Sequence, residues 1–199
     1  MREEEAAPSL VQEASHAAWG LMALVRGRPD WALGFDPSAR GFVRSFLAQV
    51  LALPFYLLAA AMVARVQAPD GGSVTLWASA LSDMMDVIAY PLVVAAFARP
   101  LRIGAGYSGF IVVVNWSSLL LSALQAVFSL AALFGREGFA VFGTAVLVLF
   151  ALSVFIIWRA ARETLTPELA PALLMVVLAV GVGALCDRAS ADLVSLWTP

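Results

Sequence analysis

Apolar runs separated by short charged breaks divide this chain. Five runs stand out, at about 42–64, 74–98, 107–134, 138–158 and 167–186. Each is close to or above the roughly 20 residues that cross a hydrocarbon core of about 30 Å. The breaks "RVQAPDGGS", "RPLRIGAG", "GRE" and "RAARETLT" hold most of the remaining charge and much of the Pro and Gly. Backbone in lipid must satisfy its own hydrogen bonds, so the runs are expected as helices. The expected fold is all-α: a five-helix transmembrane domain at 42–199 behind an N-terminal segment at 1–41.

The N-terminal segment has a helical pattern of its own. Leu10, Val11, Ala14, Ala18, Leu21, Leu24 and Val25 recur at helical spacing, with Glu13 and Arg26 off the stripe and Trp19 at its edge. Pro29 and Pro37 then break the helix, and Asp36 or Ser38 is placed to cap the next one. This predicts an amphipathic helix. It lies either on the membrane surface or against the ends of the spans.

Composition agrees with the pattern. The 199 residues are 62% hydrophobic and 13% charged, against about 45–50% and about 25% in soluble domains. All twelve basic residues are arginine. Nine of them (Arg2, Arg26, Arg28, Arg40, Arg44, Arg99, Arg102, Arg159 and Arg162) fall on one side of five spans. Arg65, Arg136 and Arg188 fall on the other. The positive-inside rule then places the N-terminus in the cytoplasm and the C-terminus outside. The opening "MREEE" has glutamates where a signal peptide needs positive charge, so the first span is expected to be retained.

The same residues exclude several activities. A net charge of -2 and the lack of a basic stripe argue against nucleic acid. One cysteine, Cys186, and one histidine, His16, cannot build a zinc or iron–sulfur site. No nucleotide, hydrolase or metalloprotease motif is present. No catalytic residue, cofactor or metal is expected, and the chain is read as a non-enzyme.

The chemistry that remains is polar and lies within the spans. Asp83 and Asp86 share a helix face, extended by Ser79, Ser82 and Tyr90. A charge at mid-span costs about 2.5–3.5 kcal/mol on insertion scales, so it should be paired or reach water. No arginine inside a span answers these carboxylates. They are read either as a proton or cation site, or as structural residues: Asp83 wet near the outer rim, and Asp86 hydrogen-bonded to helix one or three in a dry contact. The structural reading is preferred. Asn115, Ser118, Ser122 and Gln125 repeat at helical spacing in helix three and are expected as interhelical glue. The alternative is that Asn115 and Gln125 line a polar pathway with Asp86. Pro54 and Pro91 lie mid-helix, Gly181 and Gly183 would allow close helix approach, and Thr166 with Pro167 would open the last helix.

The segments "RGRPDWALGFDPSARGFVRSFLA", "VIAYPLVV" and "FIVVVNWSSLL" resemble those of Yip-like small bacterial membrane proteins. The wider Yip family, whose eukaryotic members interact with Rab GTPases, has a cytoplasmic amphipathic N-terminus before five spans. The resemblance implies that fold in a bacterial inner membrane. It implies no activity, and the eukaryotic partner does not carry over. The expected function is that of a non-catalytic accessory, assembly or scaffold component of an inner-membrane complex, in contact with lipid and with other membrane proteins or its own copies. The alternative is a small proton-linked transporter or permease using Asp86 and Asp83.

Overall fold

The computed structural model describes residues 9–67 and 72–196. Arg2, the glutamates at 3–5 and positions 68–71 of the first break lie outside the described residues. Among those described there are helices and turns and no strand.

Helix α1 spans Leu10–Val25. Its start is fixed by a reciprocal cap: the Gln12 amide N–H donates to Ser9 Oγ at 3.3 Å, and Gln12 Oε1 accepts from the Ser9 N–H at 2.9 Å. Its end is fixed by Gly27, whose φ of 72° suits a residue without Cβ. There the Gly27 N–H returns to Leu24 O and the Arg28 N–H to Ala23 O. The chain then doubles back through a 3-10 turn, Pro29–Gly34. A Cβ on Gly34 would stand 2.6 Å from His16 O and 2.7 Å from Gly20 Cα, so two glycines make this close approach.

Helix α2 spans Ala39–Gln67, α3 Gly72–Ala98, α4 Tyr107–Ser129, α5 Gly135–Thr164 and α6 Leu169–Ser195. Ser38 helps start α2, its Oγ accepting from the Gly41 N–H at 3.1 Å, while Asp36 Oδ1 accepts from the Ser38 N–H at 2.9 Å. Four stretches are long and apolar enough to cross a membrane: Ala39–Arg65, Leu76–Ala98, Gly104–Thr164 and Leu169–Ser195. The third holds both α4 and α5, joined by the 3-10 turn Leu130–Phe134 and Gly135, whose φ of 76° and ψ of -150° suit glycine alone. These apolar helices mark a membrane protein.

The five long helices close into a ring. α2 packs on α3, α3 on α6, α6 on α5, α5 on α4, and α4 back on α2. The starts of α2, α4 and α6 meet the ends of α3 and α5 at one end. Ser108 Oγ donates to Pro37 O at 2.7 Å there, and α1 packs on α4 and α5. Leu21, Leu24, Val94, Phe110, Ile111, Val113 and Met175 are buried together in one core cluster. A second cluster joins Ala17 of α1 to Ala48, Ala52, Val112 and Trp116. Glu13 and Arg44 pair at 2.7 Å. α1 therefore packs on the helix ends with its inner face, while Val11 and Met22 remain exposed on the other.

Two local expectations are corrected. Thr166 and Pro167 do not open the last helix. It begins at Leu169, and Thr166 Oγ1 accepts from the Glu168 N–H at 3.2 Å in the turn before it. Nor do Gly181 and Gly183 sit at a tight crossing, since nothing lies within 4 Å of a Cβ added at either. The chain uses glycine for close approach at Gly20 and Gly34 instead.

Candidate functional site

Asp86 is ten residues from Leu76 and twelve from Ala98 in its apolar stretch. At about 1.5 Å per residue that is roughly 15 and 18 Å from the two ends. The hydrogen bond expected for it from helix one or three is not made at Oδ1. Asp86 Oδ1 is buried with no hydrogen-bond partner, and the residue lines two cavities, of about 440 and 410 Å³. Asp83 is half-buried rather than fully wet. It lines the first of these cavities and a third of about 300 Å³.

The ring explains the hollow. The 410 Å³ cavity takes wall residues from all five long helices, among them Tyr56, Asp86, Ser118, Ser153 and Asp187. Gly183 and Ala184 line it too, so the small residues of α6 leave space there instead of drawing a helix in. The 440 Å³ cavity is mainly apolar, lined by Phe46, Val50, Leu53, Met84 and Ile88 together with the two carboxylates. Tyr56 lines all three cavities.

Two members of the site are absent from the sequence expectations. Asp187 lies just past the fifth apolar run, yet α6 continues to Ser195 and places it, though exposed, on the walls of the 410 and 300 Å³ cavities. There its Oδ1 accepts from Ser82 Oγ at 2.5 Å. Tyr56, two residues after Pro54, had no polar neighbour in the sequence to mark it. The usable signal for Asp187 is its four-residue spacing from Gly183, which puts both on one face.

The other candidates separate cleanly. Tyr90 donates from its hydroxyl to Met175 O at 3.2 Å and is buried. It touches the 410 Å³ cavity as part of its wall. Asn115 accepts from Gln49 Nε2 at 3.0 Å and donates to Ser45 Oγ at 2.9 Å. It is the glue expected between α2 and α4, and its partner Gln49 lines the 440 Å³ cavity with Asp83 and Asp86. Gln125 lines the 300 Å³ cavity with Asp83 and Asp187. His16 is exposed beside Glu13, Arg40 and Arg44 at the arginine-rich end, and Cys186 is buried.

None of the four ion pairs drawn among the described residues involves Asp83, Asp86 or Asp187. The three carboxylates border the cavities without converging, and no group of three His, Cys, Asp or Glu side chains among the described residues is placed to hold a metal ion. The arrangement suits a proton or a single positive charge more than a multiply coordinated ion. Ser45 of α2 bonds Asn115 of α4, and the rings of Tyr90 and Phe110 lie 6.3 Å apart between α3 and α4. No protein-family model, no curated protein and no solved structure matches the chain.

Proposed function

We propose that the protein is a small multi-pass membrane transporter that exchanges protons for an apolar monovalent cation at Asp86 and Asp83, with Asp187 and Tyr56 completing the site. The observation that carries this reading is Asp86 Oδ1: mid-span, unpartnered, and on the wall between two cavities. A structural aspartate in a span is ordinarily bonded. The cavity that Asp86 shares with Asp83 supplies aliphatic and aromatic walls for the body of such a cation, and the carboxylates supply its counter-charge. One proton leaves a carboxyl group as one cation arrives, so charge in the apolar interior is conserved.

The reading takes five spans, dividing Gly104–Thr164 at the turn before Gly135. It takes the arginine-rich end as cytoplasmic, in a bacterial inner membrane, with the C-terminus outside. The Yip-like segments support the fold part of this reading and carry no argument for transport, because the resemblance implies no activity.

The test is calorimetric titration of the purified full-length protein with tetraphenylphosphonium in buffers of different ionisation enthalpy. Binding with release of a proton is expected, and Asp86→Asn should abolish both. Equal binding by wild type and variant, or none by either, overturns the reading.

A second reading, of a non-catalytic component in a larger membrane assembly, is favoured by the outer face of α1. Val11, Trp19, Met22 and Val25, with Leu33 of the following turn, are exposed there. This apolar face suits the membrane surface or another membrane protein. Gentle purification that brings down a stoichiometric membrane partner, lost on Met22→Glu, would favour it over transport.

A further inference from the structure

A different part of the molecule holds a second set of polar atoms without partners. Near the end of α5, Trp158 Nε1 and Arg159 Nε are both buried and bonded to nothing. Both residues line a cavity of about 260 Å³, closed by Arg162, Glu163 and Pro167. Both atoms are donors and neither can accept, so only an acceptor can satisfy them.

The surroundings define that acceptor. The Arg162 guanidinium lies over the Trp158 ring, 5.8 Å from its centroid. The Arg159 Nη2 pairs with Glu163 at 3.0 Å and leaves its Nε free for another partner. Two guanidinium groups against one carboxylate leave the cavity net positive. Trp158 is six residues before the end of α5, about 9 Å along the axis. That is the depth at which indole rings sit among lipid headgroups.

We infer that Trp158, Arg159 and Arg162 form a binding site for a phosphate group at the arginine-rich end of the bundle. One phosphate oxygen would take the indole and Nε hydrogens, and Arg162 would face a second oxygen from the exposed rim. Arginine suits this task because its planar donors match phosphate geometry. The group can be presented by an anionic phospholipid or by a free phosphate.

Native mass spectrometry of the delipidated full-length protein in mild detergent tests the site. It would be titrated with phosphatidylglycerol, with phosphatidylcholine and with inorganic phosphate. One phosphatidylglycerol per chain, bound about tenfold more tightly than phosphatidylcholine, identifies a lipid source. Loss of that lipid to millimolar inorganic phosphate identifies a free anion. Trp158→Phe keeps the ring and removes the donor, and Arg162→Gln changes an exposed side chain. Each should weaken binding by about tenfold, while Arg188→Gln at the opposite end should leave it unchanged. Unselective lipid binding with no phosphate binding, or variants that bind like wild type, would overturn the site. Arg162→Gln decides the matter if Trp158→Phe does not fold.

Discussion

Ser82 Oγ on α3 donates to Asp187 Oδ1 on α6 across 2.5 Å, joining two helices 105 residues apart in sequence. Among the described residues it is the one side-chain hydrogen bond to any of the three carboxylates around the cavities. Asp187 is therefore held, whereas Asp86 Oδ1 is not.

Removing the donor should cost about as much as an ordinary hydrogen bond. Ser82→Ala takes the partner from a carboxylate that is itself exposed, and a loss of about 0.5–1.5 kcal/mol is expected. Unfolding in mixed detergent micelles would measure it. A double-mutant cycle with Asp187→Asn should show that most of the loss is shared between the two sites. Additive losses would mean that the two side chains do not act together.

Asp86→Asn should behave in the opposite way. The carboxylate oxygen has no bond to lose, and the variant removes a charge from mid-span. Stability is expected to hold or to rise by on the order of 1 kcal/mol, even as cation binding disappears. A falling melting temperature would indicate that Asp86 is a structural residue after all.

Two glycine substitutions should separate close packing from open space. Gly34→Ala sets a Cβ against His16 O and Gly20 Cα, and overpacking of this kind costs about 1–3 kcal/mol. The clasp between α1 and the turn should loosen, exposing the N-terminal region to protease. Gly181→Ala meets nothing within 4 Å. It should be neutral, or stabilising by about 0.5–1 kcal/mol from helix propensity alone.

Arg28 donates to both carboxylate oxygens of Asp30, at 3.1 and 2.5 Å, and holds that carboxyl below its ordinary value. A depressed folded value means that the pair's contribution is present above the unfolded pKa of about 3.9 and fades as pH falls through the folded value. The melting temperatures of wild type and Asp30→Asn should therefore differ slightly near neutrality and converge in acid. The exposed position keeps the difference small. Divergence in acid would contradict the assignment.

Much of this was legible in the sequence because lipid restricts the choices. Apolar length set the long helices to within a few residues at most ends, and the spacing from Asn115 to Gln125 pointed to a helix–helix seam. At Asn115 that seam is a bonded one to Gln49 and Ser45. The site was legible only in half. Asp83 and Asp86 stood out against their apolar neighbours. Asp187 did not, because hydropathy ends a span at the first charge while a helix needs only its own backbone bonds to continue. Tyr56 was invisible for a different reason: a tyrosine among leucines becomes a cavity wall only when five helices close around it. Ring closure depends on pairs such as α2 with α4 and α3 with α6, and no local pattern encodes those pairings.

Three of the voids border Tyr56, and Tyr90 and Val114 form the wall between the 410 Å³ one and the residues packed about Phe110. A folded chain under hydrostatic pressure yields where its empty volume lies. This molecule should therefore compress unevenly, giving way first around Tyr56 while the interior around Phe110, with α1 docked beside it, resists. Such a difference in stiffness within one bundle would let its hollow part change shape while the packed part serves as the fixed frame.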